Sequence, residues 1–442
     1  MKIDNLITEG AYGLFKGISG YSGLEYTGYR HEILGSKDSA YIGTSLCDSP
    51  TYEVTGPDAS KFMSSICVND FSNVNVGSIR HALICNEKGQ MMTDGVAMKV
   101  AEDTYRTYWL HPVIEYHLHN SNLDVKGTDL SGQIFFYQVA GPKSLEILEA
   151  ATQSNLRDIN FAKHRTATIS GIEVRILRLG MAGTLAYEVH GDSESAETVY
   201  KALWDAGQKH QLRKLGRIAY CMNHTEAGFP NIYIHFPMPW FEDPGFAEFL
   251  NQRPGMGFMN ENRKLTGSLD DAQQRFKTPY DVGWGKLINF NHDFVGKDAL
   301  LQLKETHNSS LVTLEWNADD VAEIYASQFK GHDVESYDPI ERPSDLNFNV
   351  FENGTPLGIY FHADKVLCDG KLIGNSSGRI HSVYYKRMLS LGFIDAEYAI
   401  EGKELSLLWG SPGKPQKEIR VTVARCPYIN LTQNRDIDVS NL

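Results

Sequence analysis

Two segments of this chain spell the same supersecondary unit, and that recurrence constrains the fold more than any other feature. YEVTGPDASKFMSSI, from Tyr52, and YQVAGPKSLEILEAA, from Tyr137, each run alternating apolar residues into a Gly-Pro pair and then apolar residues at helical spacing. Alternation puts one face of an extended segment on a core, and the wider spacing does the same for a helix. Each segment therefore predicts strand, turn and helix. Pro57 and Pro142 are expected in the first helical turn, where a missing N–H does no harm, with Gly56 and Gly141 relieving the turn before it. Recurrence of the unit predicts an internal duplication, or at least two copies of one layer.

Between the copies, HALICNEKGQMMTDGVAMKV predicts a hairpin about the turn Asn86–Gly89, and TYRTYWLHPVIEYHLHN continues as an aromatic, strand-like run. A strand there puts His117 and His119 on one face, as a metal pair needs, but no third ligand lies nearby. The pair reads as a polar sheet face, and no metal is expected. From Gly171, IEVRILRLG alternates like a strand, and SAETVYKALWDAGQKH supplies a helix to cover the sheet. Residues Phe229 to Gly267 interleave Pro230, Pro237, Pro239, Pro244 and Pro254 with aromatics, which predicts a long ordered loop with one short helix around Phe246–Leu250. VGWGKLINFNHDFVGKDALLQLKE returns to strand, turn and helix, with Gly296 ahead of the helix Ala299–Leu303. The polar stretch Ser336–Asn347 is a candidate boundary. Short glycine-rich strands from Asn349 predict a small β-barrel or sandwich, beginning there or upstream from about Leu311.

A chain of 442 residues exceeds what one core serves, so several packed units are expected. A formal charge of −13 repels phosphate backbones and anionic lipid, which argues against nucleic acid and membrane partners. The six cysteines are scattered without a C-x-x-C pair, so neither a disulfide framework nor a zinc ribbon is expected, and a reduced cytoplasm fits. MKIDNLITEGAYGLFKG lacks the apolar run of a signal peptide, and no stretch approaches the roughly 18 apolar residues of a membrane span. There is no glycine-rich fingerprint for a dinucleotide or S-adenosylmethionine; RPGMGFMNENRK, in the proline-rich loop, is the nearest string. G-x-S-x-G is absent too, which leaves a serine hydrolase unsupported.

Three features can carry chemistry. In GMAGTLAYEVHG, from Gly180, glycines let backbone approach a flat ligand, with Tyr187 and Glu188 on the next strand; taken alone, the segment reads more simply as a glycine-rich hairpin with a core tyrosine. NHTEAGF sets Glu226 beside Gly228 at the entry to the aromatic loop, where a carboxylate can accept paired N–H bonds from a pterin-like edge or can simply be solvated. Asp94 interrupts an apolar strand in MMTDGVAM, so it is either structurally paired or part of a site.

In order and spacing, VTGPDASKFM, NEKGQMMTDGV, YQVAGPKSLEIL, LRLGMAGTLAYEVHG, HTEAGF, VGWGKLINFNHDFVGKDAL and GRIHSVYYKRMLSLGFID resemble the glycine-cleavage T-protein, or aminomethyltransferase, superfamily. DFVGKDAL, TLEWNADDVAEIYAS, GMAG and RCPY are most similar to its tetrahydrofolate-dependent O-demethylases of vanillate, 3-O-methylgallate and syringate. The resemblance implies an α+β fold, a three-domain cloverleaf with a small C-terminal β-barrel, here divided as 1–310 and 311–442. It implies tetrahydrofolate as cofactor and a small methylated substrate as partner.

Carried over by motif, Glu226 matches the pterin-binding glutamate of R-x-E-x-G, although Asn223 or His224 stands in the region of the arginine. Glu188 matches the glutamate of a glycine-tyrosine-glutamate run, and the resemblance adds Tyr187, Gly180, Ala182, Gly183 and Trp284 to the cofactor wall. Asp94 matches the acidic residue near the folate nitrogen. The substrate pocket departs from the vanillate type: Asp48 closes a segment expected to be histidine-rich, an arginine is replaced near Trp109 and His111, and the loop tyrosine falls at Met238, with Tyr233, His235 and Trp240 as neighbours. Tyr29 completes the substrate-side set. The chemistry implied is transfer of a methyl group from a methoxylated aromatic to N5 of tetrahydrofolate, giving 5-methyltetrahydrofolate. Asp94, Tyr233 and His235 are the expected catalytic groups, since a departing phenolate needs a donor. Rival readings are S-demethylation of the dimethylsulfoniopropionate type, N-methyl or aminomethyl transfer recognisable by a methylenetetrahydrofolate product, and a folate-binding accessory protein.

Overall fold

Both repeated segments fold as strand, turn and helix. Thr51–Thr55 leads into the helix Ala59–Ile66, and Ile134–Ala140 into the helix Ser144–Thr152. A computed structural model of the chain describes residues 9–16, 21–253, 263–345, 351–352, 355–356 and 359–442. The prolines sit ahead of the first helical turn, two residues before Ala59 and Ser144. Ala59 N–H bonds to Gly56 O and Ser144 N–H to Gly141 O, so Pro57 and Pro142 take the second position of a turn that precedes each helix, where a fixed φ is equally useful. The glycines are required on packing grounds, since a Cβ at Gly56 would lie 2.3 Å from Asp124 O and one at Gly141 2.5 Å from Gly35 O.

Packing divides the chain into two units, Met1–Leu83 with Asp94–Asn223 and Asn430–Leu442, and Ile84–Thr93 with His224–Ile429. In the first, a six-stranded sheet runs in the order His164–Ile169, Ile172–Leu177, Ala186–Asp192, Ile134–Ala140, Tyr41–Gly43 and Arg213–Leu215, the last pair parallel. One face of it carries Tyr137, Val139, Val174, Ile176, Tyr187 and Val189 into a core closed by Leu145, Leu148, Val199 and Leu203 of the helices Ser144–Thr152 and Ala196–Gly207. A second sheet has the order Ile79–Cys85, Met91–Ala101, Thr104–Tyr108, Thr51–Thr55 and Lys126–Asp129. The expected turn Asn86–Gly89 joins its first two strands, with Asn86 Oδ1 accepting from the Lys88 and Gln90 amides.

In the second unit, Ile359–Cys368, Lys371–Ser382, Arg387–Asp395, Ser309–Trp316, Lys417–Ala424 and Glu404–Trp409 pair in sequence, and the last returns to the first, which closes a six-stranded barrel. Val312, Leu314, Leu407, Ile419, Val421 and Val423 fill it. The barrel thus takes its first strand from Ser309, well ahead of Asn349. We propose the division into a folate-binding region, 1–310, and a barrel-like domain, 311–442. The helix of the proline-rich loop is Pro244–Asn251, with Pro244 in its first turn and Asp243 capping Phe246 N–H.

Two expectations are corrected. His117 and His119 lie on the helix Val113–His119, where residues two apart point in different directions, so the common-face argument for them fails. The strand expected before Gly296 is a 3-10 turn, Gly285–Leu287; the helix after Gly296 is Lys297–Thr306. Gly296 itself adopts φ 81°, and a Cβ there would meet Asn86 O. Most of RPGMGFMNENRK lies outside the described residues.

Candidate functional site

The helix Arg217–Glu226 ends in four residues buried to 2% exposure or less, Asn223, His224, Thr225 and Glu226. A polar run so deep needs partners. In the second unit, Glu226 Oε1 accepts a 2.7 Å hydrogen bond from Ser382 of the barrel strand. His224 Nδ1 donates to Phe229 O at 3.0 Å, and burial lowers its pKa to about 4, so the ring is neutral. Phe229 in turn packs on Trp284, 5.2 Å between ring centres.

His235 is locked. Asn231 N–H donates to its Nδ1 at 3.0 Å, which places the proton on Nε2, and Nε2 faces Thr225 Oγ1 at 3.1 Å. The Thr225 hydroxyl in turn donates a hydrogen bond to Gly378 O at 2.7 Å. Burial holds the imidazole well below its ordinary pKa. With both nitrogens engaged and the ring neutral, His235 braces the loop. Tyr233 is half-buried, its N–H on Asn231 Oδ1. Trp240 donates its indole N–H to Met92 O at 2.6 Å and stands edge-on to Phe246, and Met238 is buried, so Trp240 anchors the loop.

In the first unit, strand alternation splits the expected pair. Tyr187 points into the hydrophobic core, while Glu188 faces the other way. Glu188 is hydrogen-bonded to Gln138, its cross-strand neighbour, and burial raises its pKa to about 8. His190 lies 3.5 Å from Glu188 Oε2, beyond good hydrogen-bond geometry, and packs against Tyr108 and Phe136. Burial and the Arg106 and Arg175 charges keep His190 neutral. Among the described residues, Glu188 Oε2, both His190 nitrogens, the Tyr108 hydroxyl and both amide atoms of Asn223 have no hydrogen-bond partner.

Gly180 abuts Ala186, whose Cβ would stand 2.4 Å from any Cβ added there; Gly183 adopts φ 75° and Ala182 is buried. Asp94 is paired: His81 Nε2 lies 2.9 Å from Asp94 Oδ2, with side-chain exposures of 23% and 12%. His111 bonds Glu115 at 2.7 Å and stacks on Tyr52. Trp109 holds φ 69°, a strained backbone for a bulky residue, with its N–H on Pro50 O. Tyr29 is half-buried and its N–H is bound by Glu25; Asp48 ends a 3-10 turn, and its side chain lies outside the described residues. Sequence reading missed His81, His190 and Ser382. Only His81 left a signal, since it and Asp94 stand equally far from the predicted turn Asn86–Gly89.

The family model described as the GCVT N-terminal domain matches residues 46–234. A sesamin methylene transferase of Sinomonas sp. is 55% identical, over 100% of this chain and 98% of that protein. This chain belongs to the T-protein superfamily. A syringate O-demethylase of Sphingobium sp. is 29% identical over 91% of this chain and 89% of its own length. The crystal structure of glycine cleavage system aminomethyltransferase T from Bartonella henselae, 14% identical, superposes with a TM-score of 0.64 over 98% of each chain, which bears out the mixed α and β fold. As a member of the T-protein superfamily, the chain is a one-carbon transferase and uses tetrahydrofolate. Among the described residues, no helix is long and apolar enough to cross a membrane.

Proposed function

We propose that this chain moves the bridging carbon of a methylenedioxy-substituted aromatic, a compound of the sesamin kind, to tetrahydrofolate and releases the corresponding catechol. The identity to the sesamin methylene transferase along the whole chain carries the reading. When bound, tetrahydrofolate supplies the N5 and N10 amines that accept the carbon. The exchange balances without an oxidant: two C–O bonds break, two C–N bonds form, and the two amine protons end on the two aryl oxygens.

The chain's polar residues fit that cofactor. Asn223 is wholly buried with neither amide atom partnered among the described residues, and Glu188 Oε2 is in the same condition. A flat pterin with alternating donors and acceptors on its edge would satisfy such atoms. The likeness of HTEAGF to the superfamily's pterin-binding motif makes Glu226 a further candidate for that cofactor. A leaving aryloxide needs a proton, and Asp94 and Tyr233 are the chain's candidates to supply it. The cysteines described are free thiols, which suits a reducing cytoplasm.

A second reading is methyl transfer from a methoxyarene, supported by the 29% identity to the syringate O-demethylase. Anaerobic incubation with tetrahydrofolate and a panel of methylenedioxy- and methoxyarenes, followed by mass spectrometry, separates the two. Methylenetetrahydrofolate with a catechol is the expected outcome; methyltetrahydrofolate from methoxyarenes alone favours the second reading, and no folate product overturns both.

A further inference from the structure

We infer that His81 is a positioning residue for the transfer: it holds Asp94 as the group that carries the amine proton to the departing aryl oxygen. The inference rests on the one-carbon transfer proposed above and adds a residue to it.

The chemistry sets the requirement. At each transfer the electrons of the C–O bond leave with the aryl oxygen, a nitrogen lone pair makes the new C–N bond, and the proton that nitrogen releases is the one the oxygen needs. An aryloxide is a strong base, its phenol titrating near 10, so an unassisted departure is slow. A carboxylate next to both atoms can take the proton from one and give it to the other. To do so it must be fixed, because a misplaced proton carrier loses most of its advantage.

Asp94 meets that description through His81. The two sit on the strands Ile79–Cys85 and Met91–Ala101, and His81 Nε2 lies 2.9 Å from Asp94 Oδ2. A hydrogen bond from the ring fixes one carboxylate oxygen and leaves the other free to turn toward a reacting group. Exposures of 23% and 12% leave the pair within reach of a small molecule, unlike the sealed Glu188 and His235. A purely structural cross-strand tie would need the hydrogen bond but would be indifferent to the leaving group. That difference is measurable.

The test uses the full-length enzyme with a series of methylenedioxyarenes whose catechol products span a range of acidity, in His81→Phe, His81→Gln and Asp94→Asn. Gln keeps an N–H donor to the carboxylate, so H81Q is expected within about threefold of wild type, whereas H81F loses about 100-fold in kcat, the range of assisted proton transfer. The H81F loss is expected to shrink as nitro groups make the catechol more acidic, and D94N to show the same trend, with tetrahydrofolate affinity unchanged in the two His81 variants. A loss equal across the series, an H81Q as poor as H81F, or weakened tetrahydrofolate binding in H81F overturns the inference. Should only methoxyarenes react, the methylene reading fails while the same series in methoxyarenes still tests His81; an enzyme that transfers from neither class overturns both.

Discussion

Ser382 donates a 2.7 Å hydrogen bond to Oε1 of Glu226, and both side chains are fully buried. A buried carboxyl persists only where its oxygens are engaged, so a hydroxyl from the strand Lys371–Ser382 fixes the direction in which Glu226 presents its acceptors. Ser382→Ala removes that guide without adding volume. We expect tetrahydrofolate affinity to fall about tenfold, the ~1.4 kcal/mol of a typical buried hydrogen bond. Fluorescence titration with the cofactor checks this, and an unchanged affinity would detach Glu226 from the cofactor.

The recurring Gly-Pro turn makes a prediction about stability. At Gly56 a Cβ would lie 2.3 Å from the carbonyl oxygen of Asp124, a backbone atom that cannot swing aside, whereas at Gly370, with φ +78°, nothing lies within 4 Å. Gly370→Ala therefore bears only the left-handed strain, about 1 kcal/mol, while Gly56→Ala adds overpacking and should lose about 3 kcal/mol or more. Urea unfolding of the two variants measures the difference. Equal losses would show that the strand Thr51–Thr55 and its helix can shift to make room.

What could be read from the sequence is what depends on neighbours along the chain. The two strand–turn–helix units, the hairpin about Asn86–Gly89 and the helix Pro244–Asn251 follow from periodicity and from Gly, Pro and Asn at turns. The helix Val113–His119 was not legible, because Val113, Ile114 and Tyr116 favour strands in isolation and only packing, with Val113 and Ile114 fully buried, decides otherwise. Glu188 and Tyr187 are adjacent in sequence and opposite in space, so a motif alone could not say which faces the core. The motif comparison points at Asn223, but its burial depends on what surrounds the helix Arg217–Glu226. Closure of the barrel likewise needs Ile359–Cys368 to find Glu404–Trp409, a pairing no local pattern specifies.

Trp240 is better tested as an anchor than as a substrate contact. Its indole N–H reaches Met92 O at 2.6 Å and its ring stands edge-on to Phe246 at 5.5 Å. Trp240→Phe keeps the ring packing and deletes the donor, leaving the Met92 carbonyl short of a partner. The expected loss is ~1–2 kcal/mol, with faster hydrogen exchange over Pro244–Asn251 and KM for the aromatic substrate little changed. A large rise in KM with exchange unaltered would return Trp240 to the substrate.

Glu188 predicts an unusual dependence of stability on pH. Burial raises its carboxyl from 4.5 to about 8 against the smaller opposing effect of the Gln138 hydrogen bond. Between those values the folded chain holds a proton that the unfolded chain has released, so stability falls as pH rises through the window, by up to ~1.4 kcal/mol per pH unit from this group alone. The sign is the reverse of that for a salt-bridged carboxylate. Glu188→Gln keeps the shape and a donor but cannot ionise, so its stability relative to wild type should improve steadily from acid pH toward pH 8, measured by urea unfolding in cofactor-free enzyme. If Glu188 also meets the pterin, tetrahydrofolate binding should change its protonation, and the proton uptake or release seen by calorimetry in buffers of different ionisation enthalpy should vanish in E188Q. A difference between the two proteins that stays flat with pH would mean that the carboxyl is ionised in the fold, and that water or charge reaches it.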